Sequence, residues 1–557
     1  MPAWPAVSSA GKPRPPWPRA WLAPSRGTAV RTESPAPSGR GPVVAAGHQA
    51  TVDAAIEVLE DGGNAYDAAV AAGFAAAVAE PCLSSLGGGG FLLARPVQGP
   101  PVVFDFFVDT PGRGQPEGTP APELTAATVR FGSADQVFHV GHGSVAVPGC
   151  LPGYLHVHRH LGRLPLERVV APARHLAATG VRLGPDQAAV VRLLEPIFAL
   201  TPEARALFVP TDRAFGDDDV VRHPELARFL DAIGDGDVHG FHDPSLAAAI
   251  AAQSQEQGGN LTVTDLVDYQ VNERTPLTFR HANATVLTNP VPSYGGSLVA
   301  RALGLLASGR QGDRPGSGAR LHRVATALAE VTALHLGVGV DATEGAGHEL
   351  RVPDPAVAAE VAGDLLDGGA PRPRAARGTT HVSVADDEGN LAAMTTSNGT
   401  GSGITLSDTG VLANNIMGET DLHPGGFHRS PPGVRVGSMM APTVVEPDGG
   451  PAVALGSGGS ERIRSAMTQV LVALLDDDAS LAEAVAAPRL HWDGTWLQVE
   501  PGFDPVAVAE LERWWAVNRW PVSDLYFGGV NAVATDGSAA GDPRRGGRTA
   551  VPGRRRP

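Results

Sequence analysis

Lysine is almost missing from this chain: Lys12 is the single one among 43 basic residues, so arginine carries nearly all the positive charge. That excludes a phosphate-binding loop of the Gly-x4-Gly-Lys-Ser/Thr type from the glycine runs "SSLGGGG" (84–90) and "GTGSG" (399–403). Neither run opens a dinucleotide-binding unit, and close backbone packing is the role expected of both. Cysteine is scarce as well. Cys82 and Cys150 allow at most one bridge, which excludes a disulfide framework and a cysteine-rich metal centre. Their apolar or Gly/Pro-rich flanks predict buried free thiols. No apolar run has the length of a membrane span; "DAAVAAGFAAAVAEP" is short and alanine-rich. The first 27 residues, "MPAWPAVSSAGKPRPPWPRAWLAPSRG", are broken up by proline and arginine and lack the apolar core of a signal peptide, so a cytoplasmic location is expected. A basic surplus is also lacking. The net charge of −16 argues against nucleic acid or an anionic membrane as partner.

What the chain does have is ordinary globular composition, 43% apolar and 18% charged over 557 residues, enough to build a core that shapes a deep pocket. Residues 1–40, rich in Pro, Arg, Ser and Ala without periodicity, are expected to form a disordered tail. Order is expected from residue 41. Val52, Ile56 and Leu59 recur at helical spacing, Gly62 and Gly63 supply a stop, and Asn64 can cap a second helix of small residues, predicted to be buried. "GGGGFLLARP" and "PVVFDFFV" read as strands; helices and loops follow over 150–260, then a strand-then-helix rhythm through "VTDLVDYQV", "LTFRHANATVLTNP" and "RALGLLASG". Residues 307–319 and 366–378 read as loops. Strands return in "THVSVAD", "LAAMTTS", "TVVEPDG" and "PAVALGS", and helices in "SERIRSAMTQVLVALLDD" and "SLAEAVAAP". This grouping predicts layered sheets covered by helices.

Several segments invite a chemical reading. In "HVHRH", His156 and His160 would share a helix face while His158 points elsewhere; two ligands are too few for a metal site. "GDDDVV" (216–221) lacks the ligand spacing of a calcium loop and reads as a charged loop. "GSGGSERIRS" (456–465) takes a Gly-Gly pair into a helix, where outward backbone N–H groups and the helix dipole can hold an anion or a developing oxyanion. "RGTTHVSVADDEGN" (377–390) allows two readings. Gly-Thr-Thr can simply start a strand. Alternatively, the Gly378–Thr379 bond is a cut site: a threonine hydroxyl needs a base beside it, and a freed α-amine titrating near ~7.7–8 would be that base.

Together with these, "GGNAYDAAVAAGFAAAVAEPCLSSLGGGGFLL", "GSVAVPGCLPGYLHVHRHLGRLPLERVVAPA", "LTVTDLVDYQV", "PVPSYGGSL", "GTTHVSVADDEGN", "LANNIMGETDLHPGGF", "GSMMAPTVV", "GSGGSERIRSAMTQVL" and "GDPRRGG" resemble the gamma-glutamyltransferase (gamma-glutamyltranspeptidase) family, in family order from about residue 41 to 550. The resemblance implies an α+β, four-layer αββα sandwich of the N-terminal-nucleophile hydrolase type. It implies a chain that cuts itself between Gly378 and Thr379 into a large subunit (41–378) and a small subunit (379–557), forming a heterodimer. Thr379 matches the nucleophile, Thr380 the structural threonine behind it, and Gly458 and Gly459 the oxyanion hole. Ser397 stands where the family has a threonine that contacts the nucleophile.

The substrate-binding positions depart from the family pattern. Phe107 stands where the family has an arginine for the glutamyl α-carboxylate, and Gly399, with Asn398 beside it, where it has an asparagine. Ile416 replaces a glutamine, Glu419 an aspartate that holds the amino group, and Gly437 the first of two serines, while Ser438, followed by Met439, keeps the second. A buried carboxylate without its guanidinium costs on the order of 3–5 kcal/mol, so a gamma-glutamyl donor needs another arginine; Arg113 and Arg435 are the candidates. The leading reading is a self-processing enzyme that attacks a gamma-glutamyl-type amide and passes the acyl group to water or an acceptor amine. The alternatives are the same machinery acting as an acylase or C–C hydrolase on a non-glutamyl donor, and an uncut binding protein. Small-molecule donor and acceptor are the expected partners, and no metal or organic cofactor is implied.

Overall fold

Helix Gln49–Glu60 buries Val52, Ala55 and Leu59 on one side and stops at Asp61 before the Gly62–Gly63 pair. Asn64 caps the next helix, Ala65–Ala79, through a reciprocal capping box with Asp67, and all fifteen of its residues are buried. Small side chains on every face let this helix serve as an interior layer rather than a surface one. This computed structural model describes residues 41–116, 118–131, 134–307, 313–337, 378–423 and 425–553. The expected tail at 1–40 lies outside the described residues, as does the expected loop at 366–378 except for Gly378, which begins a strand.

Two antiparallel sheets form the centre. The first runs, edge to edge, Arg548–Ala550, Val43–Ala46, Gly378–Ala385, Leu391–Gly399, Gly89–Arg95, Val102–Phe106 and Asn272–Arg274. The second runs Ala539–Ala540, Gly529–Ala534, Val453–Gly458, Thr443–Pro447, Ala284–Thr288 and Leu277–His281. Helices Gln49–Glu60 and Ala65–Ala79 cover the outer face of the first sheet; Gly295–Ala307 and Arg462–Leu475 pack on the second, and Gly318–Gly337 packs against those two helices. The order is helix, sheet, sheet, helix, as expected. Gly378–Ala385 pairs with Val43–Ala46 on one side and Leu391–Gly399 on the other, and the latter pairs with Gly89–Arg95. Segments from both sides of residue 378 therefore interleave within one sheet.

The period-2 alternation of the Gly378–Ala385 strand sets what each face can do. Val382 and Val384 join the core under the outer helices, and Ala385 joins the core between the sheets. His381, buried, also faces inward: its Nδ1 lies 2.8 Å from Thr395 Oγ1, its Nε2 lies 2.9 Å from Ser383 Oγ, and burial pulls its pKa down to about 3.

The expected strands and helices from residue 379 onward are present. One element departs from the strand-led reading: "VTDLV" is a short helix, Val263–Val267. Thr262 and Asp265 form a capping box there, and that local chemistry outweighs the β-branched residues. Cys82 and Cys150 are buried free thiols, as expected, and burial raises both pKa values, that of Cys150 to about 12. Among the described residues no helix is long and apolar enough to cross a membrane.

Candidate active site

The hydrogen-bond register slips where the Gly378–Ala385 strand begins. Gly378 pairs with Gly399 but Thr380 pairs with Thr396, so Ser397 and Asn398 together oppose Thr379. This bulge re-aims the side chains around one buried residue, Thr379, which is 4% exposed. Gly378 is sterically required: a Cβ there would come within 2.1 Å of the Cys82 carbonyl oxygen and 2.4 Å of that of Gly399. The Ser397 hydroxyl donates to the Gly378 carbonyl oxygen, the carbonyl of the expected cut, and in turn accepts from the Gly399 N–H at 3.0 Å. The resemblance implies that Ser397 contacts Thr379; the structure places its hydroxyl on the Gly378 carbonyl oxygen instead.

Thr380 faces the other way. Its hydroxyl donates to Glu80 Oε2 at 2.6 Å, and Thr51 donates to Glu80 Oε1 at 2.7 Å. Glu80 is fully buried at the end of the alanine-rich helix, so these two hydroxyls tie the carboxylate to the strand and to helix Gln49–Glu60. Thr380 is thereby an anchor between the strand and the buried carboxylate.

On the side of the second sheet, Gly458 backs onto Thr379. A Cβ at 458 would lie 2.1 Å from the Thr379 carbonyl oxygen. The Gly-Gly pair does not lead directly into a helix, contrary to expectation. Gly458 ends a strand, and helix Arg462–Leu475 starts only after Gly459, Ser460 (φ +50°) and Glu461. Gly459 has φ +125°, which keeps this turn tight enough to approach the first sheet. Beneath the turn, Arg545 Nη1 lies 3.5 Å from the Thr379 carbonyl oxygen while its Nε donates to the Leu525 carbonyl at 3.1 Å. Burial, with help from Arg462, lowers its pKa to about 10. The carboxy-terminal "GDPRRGG" segment is held there by Asp542, which accepts from Arg489 at 2.7 Å, and by Arg544, which donates to Glu500 at 2.8 Å.

A narrow pocket opens in front of Thr379. Phe107, Ile416, Leu422, Met439, Met440 and Ile463 give it an apolar wall; Ser397, Gly399, Glu419, Asp421, Ser438 and Ser460 supply its polar side. Phe107 stacks on Phe91 with centroids 5.6 Å apart and is buried. Glu419 Oε1 accepts from the Thr400 N–H at 3.3 Å, and Asp421 Oδ2 accepts from Ser460 Oγ at 2.6 Å. Tyr294 explains Gly437: a Cβ at 437 would lie 2.0 Å from the tyrosine hydroxyl.

Residues 51–551 match the family described as Gamma-glutamyltranspeptidase. The chain belongs to that family. It is 32% identical over 528 residues to the Acylase ACY 1 proenzyme of Pseudomonas sp. (strain SE83), covering 91% of this chain and 92% of that protein. It is 30% identical over 509 residues to the Glutathione hydrolase proenzyme of Escherichia coli (strain K12), covering 84% of each. The cephalosporin acylase of Bacillus halodurans superposes with a TM-score of 0.79 over 94% of this chain and 98% of that one, at 21% identity, which shows the shared fold. The chain is a gamma-glutamyltransferase-like enzyme of the N-terminal-nucleophile hydrolase type.

Of the residues expected at the family's substrate site, Phe107, Gly399, Glu419, Ser438 and Met439 line the pocket. Asn398 does not: its Nδ2 donates to the Pro81 carbonyl at 3.1 Å, because the bulge turns it away. Neither candidate arginine replaces the one missing at 107. Arg435 pairs with Asp109 at 2.9 Å, donates to Tyr269 Oη at 2.7 Å, and donates to the backbone carbonyl of Phe107. Arg113 donates to the Gly433 carbonyl at 3.0 Å and lies 3.4 Å from Asp109. Neither lines the pocket. The sequence reading missed Asp421, Ser460, Arg545 and Glu80. Asp421 and Ser460 adjoin segments already singled out, two residues past Glu419 and one past Gly459. Glu80 and Arg545 lie inside segments already quoted, but only the fold brings them to the two faces of residues 379–380.

Proposed function

We propose that Thr379 is the nucleophile of this self-processing enzyme and that its donor is an acyl amide whose acyl group carries no free α-carboxylate. The observation that carries the first part is the Gly378–Thr379 peptide itself, bulged, buried and polarised by the Ser397 hydroxyl. In the uncut chain, Thr379 Oγ adds to the Gly378 carbonyl carbon and the C–N bond breaks. An ester to Thr379 results, and the α-amine is released. Water hydrolyses that ester, leaving Gly378 as a carboxyl terminus and Thr379 as an amino terminus. Ser397 holds the carbonyl oxygen as charge builds on it. The two products, on either side of the 378–379 bond, stay together as a heterodimer because their strands interleave in one sheet.

In the cut enzyme the α-amine of Thr379 takes the hydroxyl proton as Oγ attacks the donor carbonyl, then returns it to the leaving amine. Backbone N–H groups at Gly458 and Gly459 hold the oxyanion. Water or an acceptor amine resolves the acyl-enzyme by the same addition and elimination.

The pocket wall supports the second part. The Phe107 side presents aromatic and aliphatic carbon where a carboxylate would need a guanidinium, and Arg113 and Arg435 are engaged elsewhere. Glu419 and Asp421 offer negative charge, which suits a donor amine and repels a donor carboxylate. A matched pair of anilides tests this. We expect 4-aminobutyryl anilide to give a higher kcat/KM than gamma-glutamyl anilide, which differs from it by the α-carboxylate. The reverse order would reject the donor assignment while leaving the nucleophile assignment intact.

A further inference from the structure

Helix Cys150–Leu161 carries His156 and His160 one turn apart, and strand Asn272–Arg274 at the edge of the first sheet brings Glu273 against them. His156 Nε2 lies 2.9 Å from Glu273 Oε1 and His160 Nε2 lies 3.9 Å from it. The imidazoles stack with centroids 4.1 Å apart. One potential ligand atom from each residue falls within 4.8 Å of the other two, and no other such trio occurs among the described residues. The sequence offered two histidines and no third ligand; the fold supplies it from 117 residues away.

We infer that His156, His160 and Glu273 bind one divalent cation of borderline softness, with zinc the best match. Two imidazoles and a carboxylate are a known three-ligand zinc set with room for water in the fourth position. Two histidines four residues apart on a helix present their rings to the same point. Around a tetrahedral zinc with bonds of about 2.0–2.1 Å, ligand atoms lie roughly 3.3 Å apart, and the observed 2.9 and 3.9 Å bracket that separation. His160 Nδ1 sits 2.8 Å from the His156 carbonyl oxygen, so the ring donates there and presents the Nε2 lone pair outward. Phe104 packs edge-on to the His156 ring at 5.7 Å and holds its orientation. Arg159 is the nearby positive charge that opposes a cation, and Glu273 opposes it in turn. The imidazoles exclude magnesium and calcium, which prefer all-oxygen sites.

The site stands apart from the pocket. Its strand lies four positions from the nucleophile strand in the sheet, roughly 19 Å at about 4.8 Å per strand. A bound ion would clip a helix to an otherwise open sheet edge.

The test titrates tag-free, chelator-dialysed full-length protein with zinc chloride by calorimetry. Cobalt(II) absorption reports the ligand field. We expect one saturable zinc per chain, a cobalt d–d band, and a melting temperature that rises with zinc. The double variant His156→Ala/His160→Ala should bind at least tenfold more weakly and lose the zinc-dependent melting shift, with anilide turnover unchanged. His160→Ala alone, at a half-exposed position, should show the same direction without any packing change at Phe104. No saturable zinc binding up to millimolar, or equal affinity in wild type and the double variant, would overturn the site.

Discussion

The Ser397 hydroxyl donates to the carbonyl oxygen of Gly378, across the bulge that exposes Thr379 to its own preceding peptide bond. A single preorganised donor to a developing oxyanion is worth about 10²–10³ in rate. Ser397→Ala should slow self-cleavage by that order, followed as loss of the full-length band over time. Ser397→Thr, which keeps the hydroxyl, should cleave at close to the wild-type rate. Equal cleavage rates in wild type and Ser397→Ala would remove the polarising role.

Gly378→Ala should block or severely slow the cut. Its Cβ would have to displace backbone oxygens of Cys82 and Gly399, neither of which is the end of a flexible side chain. The band pattern should match that of Thr379→Ala, with circular dichroism showing a folded chain in both.

Thr380 and Thr51 satisfy the buried Glu80 carboxylate from two elements. Thr380→Val keeps the shape and strand propensity but removes one donor, leaving a buried acceptor short of a partner. The expected loss is about 1–3 kcal/mol, read as a lower urea midpoint at unchanged slope. An unchanged midpoint would show that the anchor is dispensable.

His381 is neutral in the fold, its pKa lowered to about 3 by burial, against an unfolded value near 6.5. Between those values the unfolded chain binds a proton that the folded chain does not, so stability rises with pH across the window and is lost as pH falls from about 6.5 toward 3. Replacing it by His381→Gln should remove up to ~1.4 kcal/mol per pH unit of that slope between pH 4 and 6. Chemical denaturation across that pH range in both proteins measures the difference.

The architecture was largely legible in the sequence because its signals are local. Helical spacing at Val52, Ile56 and Leu59, the Asn64 cap, and the alternating strands after Thr379 each specify their own element. The short helix Val263–Val267 was the exception, where two capping side chains outweighed strand-forming residues. In the candidate site, Gly378–Thr379 and Gly458–Gly459 are chain-local signals that the fold brings against each other. The site was not legible where it rests on pairing across the fold. Nothing near Asn398 in the chain announces the bulge that turns it to Pro81. Nothing near Arg435 announces Asp109 and Tyr269, and nothing near His156 announces Glu273.

Intact mass and amino-terminal sequencing of the purified mature protein test the central claim most directly. The account predicts two polypeptides that co-purify under native conditions, the smaller beginning at Thr379, and a single chain in Thr379→Ala. A wild-type protein that stays in one piece while turning over an acyl amide would contradict it.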